Sequence, residues 1–217
     1  MTTVFYSKES FHNAQLNMEY DAFLVKELAR KKYDFFMRFY EWHHPGITIT
    51  EKKHLPQNLH HLDHFCRPTG GGIVFHSPGD CVFSMGLLST YIPKNTTSKE
   101  LLSILSEWLG NVLESLHLKT VTRGTETHRN LQFCNGYFNP YERYLKNRKC
   151  IALAMKKRKD LILIQGVIHI TPNAHVDMYK SLDTHYHRFF TKGLEGYNIS
   201  TSMIQEQCLS NIPFQFL

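Results

Sequence analysis

The segment Arg67-Pro68-Thr69-Gly70-Gly71-Gly72-Ile73-Val74-Phe75-His76 holds the residues best suited to chemistry. Three consecutive glycines let the backbone take positive φ and let a ligand approach the main chain closely. Successive N–H groups in such a bend form a concave nest for an anion, typically a phosphate. Arg67 and His76 bracket the bend with polar side chains. Two readings stand side by side. One is a loop that feeds a strand and holds an anionic or carbonyl-bearing ligand against its backbone; the other is a glycine turn in a hairpin. The pattern matches neither G-x-x-x-x-G-K-S/T nor G-x-G-x-x-G.

Other reactive residue types are scattered. The five cysteines (66, 81, 134, 150 and 208) are odd in number and include no C-x-x-C pair. Neither a zinc ribbon nor a disulfide framework is indicated. They read as reduced thiols, each a nucleophile only where its surroundings favour thiolate. His54, His60, His61 and His64 lie in the polar stretch 51–65. No carboxylate cluster accompanies them, so a surface loop is expected there and no metal site. Lys156-Lys157-Arg158-Lys159 reads as a solvated hairpin tip or as a patch facing a partner.

The elements that must position these residues follow from periodicity. Apolar residues at 16, 20, 23, 24 and 28 predict an amphipathic helix from Leu16 to about Arg30. The aromatic run Phe36–Trp42, the turn His43-His44-Pro45-Gly46 and the alternating Ile47–Thr50 together predict a hairpin. Ile73–Phe75 and Cys81–Met85 read as two strands joined by Ser77-Pro78-Gly79-Asp80. Thr97-Ser98-Lys99-Glu100 is a capping box opening a helix to about Leu116. Residues 119–147 read as irregular. Lys149–Met155, Leu161–Gln165 and Val167–Ile170 read as strands, 176–191 as a helix, and the remainder as a short tail. Short strands among a few helices point to an α+β fold.

At 217 residues the chain suits one domain, and fifteen Phe with eleven Tyr provide ample core. No apolar run reaches the ~18 residues of a membrane span, and the N-terminus lacks a secretory pattern. A soluble, cytoplasmic protein is expected. The net charge of +6 and pI near 9.0 suit nucleic acid, an anionic cofactor or an acidic protein partner.

Four separated segments, in order, resemble the biotin/lipoate A/B protein ligase family in its lipoate-protein ligase A and octanoyltransferase branch. The glycine segment is similar to R-R-x-x-G-G-G-x-V-x-H, with Cys66 in place of the first arginine. Ala14, Asn17-Met18, Asp21 and Leu24 resemble the A…N-M…D…L helix, and Arg38-Phe39-Tyr40-Glu41-Trp42 the R-F-Y-x-W strand. Asn147-Arg148-Lys149 resembles G-R-K, with Ala152, Ala154, Lys157-Arg158, Gly166 and Ile168 continuing in step.

The resemblance implies a mixed β-sheet flanked by helices, like the catalytic domains of class II tRNA synthetases and biotin protein ligases, spanning 1–217 without a C-terminal accessory domain. It implies activation of lipoate or octanoate by ATP with Mg2+ to an acyl-adenylate, then transfer to a lysine of a lipoyl-carrier domain. That carrier would be a 2-oxoacid dehydrogenase E2 or a glycine-cleavage H protein. Lys149 would contact the adenylate phosphate and carbonyl oxygen. Arg67, Thr69, Gly70, Gly71, Gly72, Val74, His76, Ala152 and Ala154 would bind substrate or adenylate. Cys134, fifteen residues before Lys149, resembles the thioester-forming cysteine of the octanoyltransferases, which take octanoate from acyl carrier protein without ATP. Tyr141-Glu142 sits where that branch has Y-E or Y-D. Leu153 replaces a small polar residue and would narrow an acyl tunnel if it pointed inward. A non-catalytic acyl- or adenylate-binding relative is the alternative of another class; nucleic acid and membrane are not expected partners.

Overall fold

The computed structural model describes residues 3–50, 54–124, 133–134, 138–146, 148–172 and 193–213. Its centre is a six-stranded sheet. Among the described residues the strands and α-helices, in chain order, begin with β1 (Val4–Ser7), α1 (Ala14–Ala29), β2 (Phe35–Tyr40), β3 (Gly46–Ile49), β4 (Asp63–Cys66), β5 (Val74–His76) and β6 (Cys81–Leu88). They continue with α2 (Ser98–Ser115), β7 (Arg143–Leu145), β8 (Arg148–Lys157), β9 (Leu161–Ile168) and α3 (Thr201–Ser210). The large sheet runs β1-β2-β6-β9-β8-β7, antiparallel except for β1 beside β2. A small sheet, β4-β3-β5, pairs β3 parallel to β4 and antiparallel to β5.

Strand alternation assigns the two faces of the large sheet. Phe35, Met37 and Phe39 of β2, Phe83 and Met85 of β6, and Ile162 and Ile164 of β9 pack against Leu105, Trp108, Leu109 and Val112 of α2 and Ile204 of α3. On the opposite face, Phe36 and Leu163 meet Leu24 and Leu28 of α1, while Tyr40, Val82, Val167 and Ala152 meet Ala14 and Met18. The first turn of α2 is closed by the capping box: the Thr97 hydroxyl accepts from Glu100 N at 3.2 Å, and the Glu100 carboxylate accepts from Thr97 N at 2.7 Å. No described helix is long and apolar enough to cross a membrane.

The hairpin expected over residues 36–50 is corrected, while the two strands expected on either side of the turn at 77–80 are present but in separate sheets. β2 and β3 lie in different sheets, as do β5 and β6. The chain crosses between sheets at Trp42–Gly46, where a Cβ on Gly46 would come within 2.5 Å of the Trp42 ring. At the second crossing, the buried Asp80 carboxylate accepts from the backbone N–H groups of Ile170 and Thr171 and contacts His169 Nδ1 at 2.9 Å. That carboxylate ties the turn to the end of β9 rather than to its own flanking strands. Leu161–Ile168 is one continuous strand, because Gly166 continues the ladder opposite both Phe83 and Leu153. Arg143–Leu145 is a strand within the stretch read as irregular, and the stretch read as a tail contains α3, capped by Ser200. The helix expected at 176–191 lies outside the described residues.

Candidate active site

The glycine segment bridges the two sheets. Arg67 is buried, and its guanidinium donates to Thr48 O at 2.8 Å and to Gly70 O and Gly72 O at 2.7 Å each. One planar fork thus ties both ends of the bend to β3. Gly71 takes φ of +100°, a conformation that side chains resist. A Cβ there would lie 2.9 Å from the Arg67 guanidinium and 3.1 Å from Cys134 Sγ. Gly72 N donates to Cys134 Sγ at 2.8 Å. His76 shares a 2.9 Å hydrogen bond with Thr48 Oγ1 and stacks on Trp42 at 4.5 Å.

Thr69 opens a buried polar relay. Its hydroxyl donates to Gln165 Oε1 at 2.7 Å, and Gln165 Nε2 donates to Asp21 Oδ2 at 2.7 Å. Asp21 Oδ1 accepts from Arg38 Nη1 and Ser84 Oγ, both at 2.7 Å, and Asn17 Oδ1 accepts from Arg38 Nη2 at 2.6 Å. Arg38 and Asp21 are both fully buried. An ionised carboxylate only accepts hydrogen bonds, so Asp21 dictates which end of the Gln165 amide faces it. The other end must then accept from Thr69. A buried ion pair between α1 and β2 is in this way read out as the conformation of the glycine bend.

Around these groups lies a cavity of about 220 Å³. Gly70, Gly71, Val74, His76, Ala152, Ala154 and Cys134 line it, together with Gln165 and Glu142. Leu153 and Met155 of β8 also line the cavity, while packing in part against the core on the α2 side of the sheet. The leucine expected to narrow an acyl tunnel thus lies on the cavity wall.

Behind the wall sits Lys149, 1% exposed. Its Nζ lies 2.5 Å from Glu142 Oε2 and donates to Cys134 O at 2.7 Å. Tyr144 OH donates to the same Glu142 oxygen at 3.1 Å. Burial pushes the Glu142 carboxyl above its ordinary range, against the pull of Lys149 and Tyr144. Cys134 is thus fixed twice, through its carbonyl by the lysine and through its sulfur by the glycine bend. The arrangement brings a cation, a thiol and backbone N–H groups to one side of a small cavity, the equipment of acyl transfer. Among the described residues no group of three His, Cys, Asp or Glu is placed to hold a metal.

The sequence profile of the lipoyl protein ligase A/B catalytic domain matches residues 13–216. The chain belongs to this family. Among solved structures it is similar to a lipoate-protein ligase A bound with ATP, at 15% identity and TM-score 0.73, over 99% of this chain and 85% of that one. It is similar also to a chain from a structural analysis of a bi-partite lipoate protein ligase and its E2 lipoyl domain from Thermoplasma acidophilum, at 13% identity and TM-score 0.68, over 99% and 84%. A biotin protein ligase from Aquifex aeolicus follows at 10% identity and TM-score 0.52, over 100% and 70%. No curated protein sequence matches the chain. At these identities the structural likeness speaks for the fold: the α+β, mixed-sheet architecture is that of lipoate and biotin ligase catalytic domains.

Of the residues expected at a lipoyl ligase site, Gly70, Gly71, Val74, His76, Ala152, Ala154 and Cys134 share the cavity wall, while Arg67 also braces the bend and Lys149 stands behind it. Asp21, Gln165 and Glu142 carry structural weight that the motifs alone did not assign. Gln165 was legible as a polar residue in an otherwise apolar strand, whereas Asp21 lies outside the expected stripe and shares the buried face of α1 with Asn17, Leu24 and Leu28.

Proposed function

We propose that this lipoyl ligase-family chain is an acyltransferase that activates lipoate or octanoate as an acyl-adenylate and transfers it to a lysine of a lipoyl-carrier domain. The observation that carries this reading is the buried Lys149 ammonium, held behind the cavity wall between the Cys134 carbonyl and Glu142, two residues that line the cavity. In the first half-reaction a carboxylate oxygen attacks the α-phosphate of ATP and pyrophosphate leaves. In the second the carrier amine attacks the acyl carbonyl, an amide forms, AMP leaves and the amine proton is released. Both steps gather negative charge, on the phosphoryl oxygens and then on the carbonyl oxygen. A fixed ammonium and backbone N–H groups stabilise that charge without reorganising, and one such donor is commonly worth about 2.7–4 kcal/mol of barrier.

The cavity volume suits the acyl part of the intermediate. About 220 Å³ is below the ~300–1,000 Å³ common for drug-sized ligands, so an unbranched chain fits better than a whole nucleotide. Mg2+ would arrive with the nucleotide phosphates as part of the substrate. That one such ligase was solved with ATP bound, and that another was studied alongside its E2 lipoyl domain, supports the same choice of co-substrate and partner.

A second reading rests on Cys134. Its sulfur lines the cavity and accepts the Gly72 N–H. Octanoyl carrier protein would acylate this thiolate and release its own thiol, and a carrier lysine would then take the acyl group and free Cys134. The two routes separate cleanly. Acyl-AMP formation from ATP and free acid that survives Cys134→Ala supports ligation. An acyl-enzyme mass shift from octanoyl carrier protein, lost in Cys134→Ala, supports thioester transfer.

A further inference from the structure

A second depression, about 130 Å³, lies on the far side of the glycine segment from the acyl cavity. Pro68 lines it, whereas Gly70 and Gly71 line the first; Lys156 lines it, whereas Ala154 and Met155 line the first. The two hollows therefore share a wall one or two residues thick. The floor of the second is apolar, from Ala22 and Val25 of α1 and Leu161 and Leu163 of β9. Its remaining walls are Lys26, Lys156 and Arg158.

None of these three cations forms an ion pair among the described residues. Two carboxylates of α1 are committed elsewhere. Glu27, next in the helix to Lys26, is taken by Arg30 and Lys32, and Asp21 by Arg38. Lys157, between the two hairpin cations, donates to Thr96 O. Three like charges around one hollow repel one another, and an anion seated among them relieves that repulsion. Nothing aromatic lines the hollow, so the stacking platform that single-stranded nucleic acid needs is absent from it. A hollow of this size with an aliphatic floor admits one acidic side chain and its own methylene stem.

We propose that the hollow bounded by Lys26, Lys156, Arg158 and Pro68 is the docking subsite for an acidic side chain of the acyl-accepting carrier protein, close to the target lysine. The proposal rests on the acyltransferase reading for the identity of the partner. The lysine must reach the acyl carbonyl through the first cavity while its neighbours lie against the outside of the glycine segment, where the cations are. Charges at such a rim act chiefly on encounter rate and salt dependence, and leave the chemistry of the acyl site alone.

The test is binding of an apo E2 lipoyl domain to the full chain, read by fluorescence anisotropy at low and at physiological salt, together with acyl-AMP formation measured without carrier. Lys156→Glu/Arg158→Glu should raise the carrier Kd about tenfold or more at low salt and remove most of its salt dependence. Acyl-AMP formation should be unchanged, which also reports a folded enzyme. A carrier with the acidic residue beside its target lysine changed to Lys should recover affinity for the reversed variant. An unaltered carrier Kd in the variant overturns the proposal. So does a wild-type chain that binds inorganic phosphate at this hollow but no carrier. Charge-dependent binding without any acyl transfer by wild type would leave the subsite standing and defeat the acyltransferase reading instead.

Discussion

Lys149 Nζ stands 2.5 Å from Glu142 Oε2, with both side chains removed from solvent. The two ends of this pair are not equivalent under mutation. Glu142→Gln strands a buried ammonium, a loss of about 3–5 kcal/mol for breaking a buried pair. Lys149→Met strands a carboxyl that burial already pushes upward and that can take up a proton. Lys149→Met should therefore abolish acyl-AMP formation with the smaller loss of stability, as read by urea unfolding of the two variants.

The same pair predicts a pH dependence of definite sign. A carboxyl whose folded value is raised contributes stability that is full below its ordinary value near 4.5 and is lost as pH rises through the raised value. Removing Lys149 removes the main group pulling the carboxyl down. Lys149→Met should lose stability with rising pH over that window more steeply than wild type, and Lys149→Met/Glu142→Gln should flatten the loss. Urea midpoints measured in steps from about pH 4 to pH 8 check this.

Thr69→Val tests the relay from α1 to the glycine bend. It removes a hydroxyl donor and leaves Gln165 Oε1 buried without it, a cost of about 1–3 kcal/mol. The bend loses its anchor to β9 while the Lys149–Glu142 pair is untouched. The expected signature is a raised KM for the acyl substrate with a smaller change in kcat, measured by steady-state kinetics against lipoate or octanoate.

Gly71→Ala should fail more completely. It combines a left-handed φ with a Cβ at 2.9 Å from a guanidinium and 3.1 Å from a sulfur that are both held in place. A loss of activity of at least tenfold is expected, with the far-UV circular dichroism of wild type, because the strain of about 1–3 kcal/mol is local to the bend.

Thiol reactivity should divide the five cysteines. Cys81, Cys150 and Cys208 are buried, and burial pushes their thiols up, that of Cys150 to about 12. Cys66 is exposed and Cys134 lies on the cavity wall. Iodoacetamide at neutral pH should label positions 66 and 134 and spare the other three, as mapped by peptide mass spectrometry. Saturating acyl substrate should protect Cys134 alone.

Much of the fold was legible because local signals agreed with it. The capping box at Thr97 and the apolar strands on either side of the Lys156–Lys159 turn appear where the residues placed them, whereas α1 buries Ala14, Asn17, Met18, Asp21, Leu24 and Leu28 and leaves Leu16 and Phe23 of the expected stripe exposed. What failed was partnership. An aromatic strand, a Pro-Gly turn and an alternating strand also describe a hairpin, and nothing within Phe35–Ile49 says that the second strand will pair with Asp63–Cys66 instead. That choice is made by partners remote in sequence, Gly46 pairing with Asp63 on one side and with His76 on the other. The cavity wall was foreshadowed by the glycine run and the small residues of β8. The Lys149–Glu142 pair was not, because it depends on how β7 and β8 come together: Glu142 immediately precedes β7, and Tyr144 is the register partner of Lys149.

The most direct test of the acyltransferase account is the mass of an apo lipoyl domain after incubation with the protein, lipoate and ATP with Mg2+, with Lys149→Met as control. The account predicts one lipoyl addition on the carrier lysine in wild type and none in the variant, with AMP released in equal amount. Modification that proceeds equally in Lys149→Met, or an unmodified carrier with both lipoate plus ATP and octanoyl carrier protein as donors, would contradict it.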